Sequence, residues 1–495
     1  MIWDNAAKYP DRIAVCSGAQ SYSYLELENR SKEFSGLFLL TAKGRSSKQI
    51  AFMVNPDFDY VAVQWGIWRA GAMAVPLCLT YPLPSLQYVL EDAQVSQVVV
   101  SPEYAPLLRE YCEENDIVLH VLGESSFPEM VELPIVTPEH PALMLYTSGT
   151  TSNPKGVVLT HDNLNAQMEH LISAWQWTSS DHIICVLPLH HVHGVVNVVG
   201  CALYAGAKLS FLPQFSPQEL FRAFQEDDLS LFMAVPTIYY KLIAYWEGLP
   251  EAEQLALTSA LKKFRLMVCG SAALPVTTME KWKTISGHTL LERYGMTEIG
   301  MAISNPYAGE RRAGYIGQPL PGVQVRLVDE AHQPVVEGEM GEIHIRGRNV
   351  FRQYWQRPEQ TQDAFTADGW FKTGDMAVVE GGYYRITGRS SVDIIKSGGY
   401  KLSALEIEEV LRTYPGIADV AVVGIPDEEW GEKVMAALVI KQPVDLEAVN
   451  IWLRGLMASY KTPKKYIVVD ELPRNAMGKV VKNEVKQLFN SNQAS

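Results

Sequence analysis

A run of hydroxyl side chains, glycines and one lysine lies in the segment Tyr146-Thr-Ser-Gly-Thr-Thr-Ser-Asn-Pro-Lys-Gly156. Backbone N–H groups and hydroxyls donate to phosphate oxygens, and a lysine neutralises their charge, so this composition predicts a phosphate-binding loop. A Walker loop would need Gly-Lys-Ser/Thr at the start of a helix. Because Lys155 is followed by Gly-Val-Val-Leu-Thr160, a pattern typical of a strand, we expect a β-hairpin instead.

Three later segments also carry residues that could act on a charged substrate. Glu298 and Asp375 carry acceptor-only carboxylates, which suit a cation or a pair of hydroxyls, and Lys479 carries a positive charge. Each segment taken alone also fits a plain structural turn. The segments are Leu291-Glu-Arg-Tyr-Gly-Met-Thr-Glu298, Gly369-Trp-Phe-Lys-Thr-Gly-Asp375 and Pro473-Arg-Asn-Ala-Met-Gly-Lys479.

Taken together and in this order, the motifs resemble those of the adenylate-forming enzymes. This superfamily includes acyl-CoA synthetases, firefly-type luciferases and the adenylation domains of peptide synthetases. Gly270-Ser-Ala-Ala-Leu-Pro275 adds to the resemblance, which runs from about Asn5 to Lys482. One departure is Ser152, where the family loop usually has glycine; the loop donors and Lys155 are retained.

The resemblance implies an ATP site and an adenylation step. Tyr294 would stack on adenine, Thr297 would bond the α-phosphate, and Mg²⁺ would be held by Thr150 and Glu298. Lys155, Thr297, Glu298 and Lys479 would be catalytic, because they stabilise charge that develops at the α-phosphate. The implied ATP-binding residues are Thr147, Ser148, Gly149, Thr150, Thr151, Lys155, Ser271, Ala272, Glu292, Tyr294, Gly295, Thr297, Asp375, Arg389 and Lys479.

The resemblance also implies a second step with coenzyme A. The C-terminal domain would turn about a hinge at Asp393, and Lys479 would then leave the site. The segment Lys396-Ser397-Gly398-Gly399 would line the pantetheine channel, where glycines permit close approach. The implied cofactors are therefore ATP, Mg²⁺ and coenzyme A, and the implied partner is a small carboxylic acid.

Residues near the expected acyl pocket bear on which acid is used. Arg293 need not be charged for ATP binding, and its planar fork suits a second carboxylate. Together with Lys241, it resembles the substrate contacts of malonyl-CoA synthetases, which implies malonate or methylmalonate. His191 would border the pocket, with His190 and His193 structural. The alternative is that Arg293 forms an ion pair with Glu292 or Glu298 and has no effect on which acid is used.

Three rival functions share parts of this pattern. A short-chain, medium-chain or aromatic monocarboxylate–CoA ligase would share every ATP motif and differ in the pocket. A stand-alone adenylation enzyme would load a carrier protein instead of coenzyme A. A nucleotide sensor without activity is the rival from another class, and the presence of Lys479 and Glu298 counts against it.

Short apolar runs alternate with helical segments through most of the chain, which predicts an α/β fold with largely parallel sheets. Glycine-rich strands at about 320–388 indicate a small β-rich subdomain of a large N-terminal domain, 1–388. Residues 394–495 alternate strands and helices as a small mobile α+β domain. Ser403-Ala-Leu-Glu406 has the form of a capping box at the start of a helix in this domain.

Composition sets the class of protein. The chain has 495 residues, 47% apolar, and a formal charge of −14 from 42 basic and 56 acidic side chains, which argues against nucleic acid and anionic membranes as partners. The six cysteines form no C-x-x-C pair and mostly lie in apolar runs, which predicts free thiols. With no signal-like start and no long apolar segment, we expect a cytoplasmic enzyme.

Overall fold

The computed structural model describes residues 1–42, 48–124, 127, 131–147, 154–212, 214–389, 392–397, 400–427, 429–474 and 479–491. Within these residues no helix combines the length and the apolar character needed to cross a membrane. The strands, numbered in chain order, are β1 Ile13–Ser17, β2 Gln20–Ser23, β3 Gln49–Met53, β4 Met73–Pro76, β5 Gln97–Val100, β6 Val118–Val121, β7 Pro141–Thr147, β8 Lys155–Thr160, β9 His182–Cys185, β10 Lys208–Phe211, β11 Leu231–Ala234, β12 Leu266–Cys269, β13 Leu291–Met296, β14 Gly300–Ser304, β15 Gln318–Pro319, β16 Gln324–Val328, β17 Gly341–Arg346, β18 Gln353–Tyr354, β19 Phe371–Glu380, β20 Tyr383–Arg389, β21 Ile394–Ser397, β22 Tyr400–Ser403, β23 Ile417–Asp427, β24 Gly431–Ile440 and β25 Lys465–Val468.

The helices connect these strands. A π-helix, His193–Gly200, leads directly into one of them. The α-helices are α1 Ile2–Ala6, α2 Tyr24–Thr41, α3 Phe58–Arg69, α4 Leu83–Asp92, α5 Ala105–Glu114, α6 His161–Trp175, α7 Cys201–Tyr204, α8 Pro217–Glu226, α9 Pro236–Glu247, α10 Glu251–Leu261, α11 Val276–Ser286, α12 Pro358–Asp363, α13 Ala404–Arg412, α14 Leu446–Leu456 and α15 Lys482–Ser491.

Two large sheets build the N-terminal part. One has the order β18-β8-β7-β4-β3-β5-β6, and the other has the order β15-β14-β13-β12-β11-β9-β10-β1-β2. The pairs from β7 to β6 and from β13 to β1 are parallel, while the strands β8, β18, β14, β15 and β2 are added antiparallel. Their apolar runs are buried because helices cover both faces, which confirms the predicted α/β class with largely parallel sheets.

Smaller sheets follow along the chain. Strands β16-β17-β19-β20 form an antiparallel sheet, as the glycine-rich pattern predicts. The last sheet has the order β22-β21-β24-β23, with β25 on β24. Its two faces carry separate apolar clusters, one with α13 and α14 and the other with Val485 and Phe489 of α15. The fold class is therefore a large α/β part with a small α+β domain, as expected; the boundaries at 388 and 394 stay predictions.

The predicted capping box before α13 is half correct. Ser403 Oγ accepts a hydrogen bond from the Glu406 N–H at 3.1 Å, as an N-cap should. The Glu406 carboxylate does not return to the Ser403 N–H, because it accepts two bonds from Lys461 Nζ at 2.6 and 2.8 Å. An ammonium partner is a stronger donor than a backbone amide, so the box is replaced by an ion pair.

Candidate active site

The hairpin that carries the phosphate-loop motif is formed as predicted. Strands β7 and β8 pair antiparallel, with Thr147 opposite Lys155 at the end next to the connecting loop. The expected loop donors between them, Ser148, Gly149, Thr150 and Thr151, lie outside the described residues, as do Gly398 and Gly399. Lys155 is half-buried, and its Nζ lies 5.3 Å from the centre of the Tyr354 ring. The hairpin therefore delivers the candidate phosphate lysine to an aromatic face.

Glu298 lies in the turn after β13 and is buried. Its Oε1 accepts a hydrogen bond from the Tyr354 hydroxyl at 2.9 Å, and burial raises the pKa of the carboxyl. A nearby cation would offset this cost, so the donor set of carboxylate and hydroxyl oxygens fits Mg²⁺. Thr297 precedes Glu298 and is half-buried. Tyr354 thus joins the candidate metal ligand to Lys155.

A second polar cluster surrounds Asp375 on β19. Arg389 of β20 lies opposite Asp375 in the sheet, and its Nε donates to Asp375 Oδ1 at 2.8 Å. The Tyr294 hydroxyl donates to Asp375 Oδ2 at 2.6 Å. Tyr294 is buried, so its ring and hydroxyl are held in one orientation. The structure thereby brings together three residues that the sequence assigns to nucleoside binding.

Gly295 follows Tyr294 at the point where the backbones of β13 and β14 approach closely. A Cβ at this position would lie 1.9 Å from the carbonyl oxygen of Gly300, so no larger residue fits without a shift of β13 against β14. A register irregularity occurs between Tyr294 and Gly295 in the same strand pair. Glycine at this point therefore has a structural reason in addition to any contact with the nucleotide.

Arg293 is buried in β13, beside the peptide of Gly270. A Cβ on Gly270 would lie 2.7 Å from the guanidinium carbon, so glycine makes the space that the side chain occupies. Nη2 is 3.3 Å from Ser271 Oγ, whereas Nε and Nη1 have no hydrogen-bond partner among the described residues. Burial lowers the pKa of Arg293 to about 10, which leaves it charged at neutral pH.

Neither candidate carboxylate is the partner of Arg293. Glu298 bonds Tyr354, and Glu292 Oε1 accepts from the Leu274 N–H at 3.2 Å while its Oε2 has no partner. Burial raises the pKa of Glu292 to about 8, so this group is largely protonated at neutral pH. The described part of the chain holds no ion pair to Arg293. It therefore does not support the alternative in which a carboxylate of the protein pairs with Arg293 and substrate choice is unaffected.

Ser271 links Arg293 to a histidine that the sequence treats as structural. Ser271 Oγ is 3.1 Å from His193 Nδ1, and the backbone of Ser271 has φ +71°. That left-handed conformation is costly for a serine and is typical of functional sites. His193 is fully buried at the start of the π-helix, and its Nε2 has no partner. Burial keeps its pKa well below the ordinary value, so the ring is neutral.

The remaining residues expected near the acid are His191 and Lys241. His191 is half-buried, its ring centre is 4.1 Å from that of His190, and burial lowers its pKa to about 4. Lys241 is exposed on α9, with Nζ 5.7 Å from the ring centre of Phe215. The structure does not join Lys241 to the buried Arg293, so its role as a second cation stays a prediction.

The residues expected to serve the coenzyme A step lie in the C-terminal domain. Lys396 is exposed on β21, with Nζ 3.7 Å from Glu330, and Ser397 is buried. Two residues expected to bind ATP are also exposed: Lys479, just before α15, and Ala272, next to Ser271. One contact joins this domain to the strand-to-loop segment of the active site, since the Val276 N–H donates to Glu409 at 3.0 Å.

Comparison with known proteins agrees with this arrangement. The family model of the AMP-binding enzymes matches residues 2–355, and the model of the AMP-binding enzyme C-terminal domain matches residues 406–479. The chain belongs to the family of AMP-binding enzymes. It is an AMP-forming acid–thiol ligase, the class that the sequence motifs predict.

Individual relatives narrow the comparison. The malonate–CoA ligase ACSF3 of Homo sapiens, named as mitochondrial, is 42% identical over 99% of this chain and 92% of the relative. The ATP-bound crystal structure of MatB from Rhodopseudomonas palustris has a TM-score of 0.90 at 32% identity, covering 99% of this chain and 98% of MatB. A malonyl-CoA ligase in a ternary product complex with methylmalonyl-CoA and AMP has a TM-score of 0.68 at 35% identity, covering 94% and 97%.

Proposed function

We propose that this enzyme activates malonate, and accepts methylmalonate, to form the corresponding coenzyme A thioester at the expense of ATP. The observation that carries the proposal is Arg293, a buried guanidinium with two nitrogens that have no partner among the residues the structure describes. A buried charge without a partner is strongly destabilising, and a carboxylate is the partner that best fits a guanidinium. A second carboxylate on the substrate would supply that partner.

The names of the relatives support the same substrate. One relative is a malonate–CoA ligase, and another is a malonyl-CoA ligase whose complex contains methylmalonyl-CoA. A monocarboxylate would leave Arg293 buried and unpaired, so pocket chemistry favours a dicarboxylate over acetate or butyrate. Ser271 and His193 support the orientation of Arg293 from one side.

The reaction takes place in two steps. In the first step, one carboxylate oxygen of the acid attacks the α-phosphorus of ATP, and the bond to pyrophosphate breaks. In the second step, the sulfur of coenzyme A, with its proton lost, attacks the acyl carbon, and AMP leaves with the electron pair of the C–O bond. The products are acyl-CoA, AMP and pyrophosphate, and both steps proceed with developing negative charge near the phosphate.

Residues of this chain would stabilise that charge. Lys155, Thr297 and Lys479 would act on the phosphates, and Tyr294, Asp375 and Arg389 would hold the nucleoside. Glu298 and Thr150 would hold Mg²⁺, which when bound neutralises phosphate charge. Preorganised charge of this kind is usually the largest catalytic contribution.

The C-terminal domain would serve both steps. Rotation about Asp393 between the domains 1–388 and 394–495 would withdraw Lys479 and bring the segment of Lys396 and Ser397 to the coenzyme. The TM-score is higher for the ATP-bound relative than for the product complex. This difference supports an arrangement of the described domains that belongs to the adenylation step.

Two finer expectations remain proposals. A carrier protein could take the place of coenzyme A as acceptor in trans, and the preference of the purified enzyme for either thiol would decide between them. A cytoplasmic location stays a prediction, because the human relative is named as mitochondrial.

The test is a substrate panel with purified enzyme, ATP, Mg²⁺ and coenzyme A, in which AMP and thioester are both measured. The acids are malonate, methylmalonate, succinate, acetate, butyrate and benzoate. We expect the highest kcat/KM for malonate, with methylmalonate next. A preference for a monocarboxylate would contradict the proposal and leave a general acyl-CoA ligase.

A further inference from the structure

A connected group of polar side chains lies outside the expected substrate contacts, where α4 approaches the phosphate-loop hairpin. The group consists of Tyr88 and Asp92 on α4, Tyr146 on β7 and Arg357 after β18, and we refer to these four residues as the loop brace. Asp92 Oδ2 accepts from the Tyr146 hydroxyl at 2.7 Å, and Oδ1 accepts from Arg357 Nη2 at 2.7 Å. Both carboxylate oxygens are therefore engaged.

The brace holds the phosphate loop at both ends. Tyr146 is the first residue of the loop motif, and it is tied to Asp92. At the other end, the Tyr88 hydroxyl donates to the carbonyl oxygen of Pro154 at 2.8 Å, immediately before Lys155. Tyr88 and Asp92 are one turn apart on α4, so they project from the same face of a single helix.

Asp92 also forms a hydrogen bond with the segment that carries Tyr354. The Trp355 indole N–H donates to the carbonyl oxygen of Asp92 at 3.0 Å, and its backbone N–H donates to Gly156 at 2.7 Å. Tyr354 in turn contacts Lys155 with its ring and Glu298 with its hydroxyl. Through this segment, α4 fixes the hairpin relative to the candidate metal ligand.

Helix stability alone does not explain an aspartate at this position. Asp92 is the last residue of α4, where the helix dipole disfavours a negative charge. Its side chain is only 11% exposed. The helix itself is anchored by buried Leu86, Val89 and Leu90, which makes it a rigid support for the hairpin. The Asp92 carboxylate therefore stabilises contacts with other elements and does not stabilise its own helix.

We propose that Asp92 is a positioning residue for adenylation, which with Tyr88, Tyr146 and Arg357 fixes Lys155 relative to Glu298. None of the four brace residues is among those expected to contact the acid or the nucleotide. It keeps the phosphate lysine in place before ATP binds, so less ordering is required during the reaction. The proposal rests on the ATP-dependent class of the enzyme and not on the identity of the acid.

The experiment compares the two half-reactions in variants that each remove one polar contact. Tyr88→Phe and Tyr146→Phe delete a single hydroxyl, and Asp92→Asn removes the charge at nearly constant volume. Tyr204→Phe is the matched control, since the Tyr204 hydroxyl bonds Glu169 at 3.0 Å on the surface. Acid-dependent exchange between ATP and labelled pyrophosphate reports adenylation, and thioester formation from preformed acyl-AMP reports the second step.

We expect kcat/KM for ATP in the exchange to fall about 10-fold in Tyr146→Phe and about 3-fold in Tyr88→Phe, because the first loses a bond to a charged group. Asp92→Asn should show a loss at least as large as Tyr146→Phe. The thioester step and the Tyr204→Phe control should match wild type. Arg357→Lys should restore part of the exchange that Arg357→Met loses, because it keeps the charge.

Two outcomes would overturn the proposal. One is exchange at the wild-type kcat/KM for ATP in both Tyr146→Phe and Asp92→Asn. The other is a loss of the same factor in both half-reactions together with a lowered Tm, which would reveal a purely structural role. The acid used is the best one from the substrate panel, so a failure of malonate would bear on the proposed substrate and leave this test intact.

Discussion

The two halves of the active site differ in how the protein satisfies their buried polar groups. In the nucleotide half, Asp375 is bonded to Tyr294 and Arg389, and Glu298 is bonded to Tyr354. None of these five side chains has a buried nitrogen or oxygen without a partner. In the acyl half, which we define as Arg293 with Ser271, His193 and Glu292, the described residues leave four such atoms: Arg293 Nε and Nη1, His193 Nε2 and Glu292 Oε2. The resemblance assigns Ser271 and Glu292 to ATP binding, whereas their position beside Arg293 assigns them here to the acyl half.

This difference indicates that the nucleotide half acts in the same way with every acid, whereas the acyl half selects which acid is used. The nucleotide half is a closed network, so it is preorganised for ATP whatever the acid. The acyl half has a fixed cation and a neutral histidine whose hydrogen bonds the protein leaves incomplete. Specificity of about 10⁴-fold is possible where a substrate must satisfy such groups, because an analogue without the matching group leaves them unpaired.

The largest effect should come from Lys479, which the family resemblance predicts to act on the phosphates, in the half that is indifferent to the acid. We expect Lys479→Ala to lower adenylation by about 100- to 1000-fold, by the same factor for malonate and for butyrate. Thioester formation from preformed acyl-AMP should persist. Exchange of labelled pyrophosphate measures the first step, with Lys486→Ala on α15 as control. An equal loss in both half-reactions would refute this role for Lys479.

A smaller effect is expected when one bond of the nucleotide network is removed. Tyr294→Phe deletes the hydroxyl that donates to Asp375, and hydrogen bonds to charged groups are worth about 1.5–3 kcal/mol. We therefore expect the KM for ATP to rise about 10-fold or more, equally for every acid. Steady-state kinetics with two acids would measure it. A change in the preference between acids would break the division into halves.

Ser271 tests the acyl half with a milder change. Ser271→Ala keeps the Cβ and the backbone conformation but removes the hydroxyl between Arg293 and His193. We expect kcat/KM for malonate to fall about 5-fold, in line with the loss of one hydrogen bond, and the value for isovalerate to stay the same. Isovalerate has the shape of malonate, with two methyl groups in place of the two oxygens of the second carboxylate. Equal losses for both acids would argue for a general structural role.

A further prediction concerns the dependence of stability on pH and not the rate of the reaction. The pKa of Glu292 is raised by burial from 4.5 to about 8, so the folded enzyme binds a proton that the unfolded chain releases between these values. The contribution of this group is fully present below 4.5 and is lost as pH rises through 8, by at most about 1.4 kcal/mol per pH unit.

Glu292→Gln should abolish that loss. The urea midpoint of wild type, relative to the variant, should fall as pH rises from about 5 to about 8. A difference that does not vary with pH would show that Glu292 is ionised in the folded enzyme, and that the acyl half holds a carboxylate of its own.

Local patterns in the sequence predicted the elements and motifs, whereas contacts between distant segments had to come from the structure. The hairpin of β7 and β8 follows from an apolar run, a loop and a second apolar run. Tyr354 has no motif of its own, yet it contacts Glu298, which lies 56 residues earlier. His193 was assigned a structural role because nothing local shows that the fold brings it to Ser271.

The question left open for Arg293 illustrates the same limit. Its neighbours in sequence, Glu292 and Glu298, are both plausible partners by spacing alone. In the fold, one turns to the Leu274 amide and the other to Tyr354. Competition among possible partners is decided by tertiary packing, so the unpaired guanidinium could not be predicted from the chain.

The most direct test of the central claim is the ratio of kcat/KM for malonate to kcat/KM for isovalerate, measured in wild type and in Arg293→Met. If Arg293 binds the second carboxylate, the ratio should fall by about 100-fold or more, since breaking a buried ion pair costs about 3–5 kcal/mol. The fall in the ratio should come from lost activity with malonate, while activity with isovalerate is retained or improved. A ratio that does not change between wild type and Arg293→Met would contradict the account.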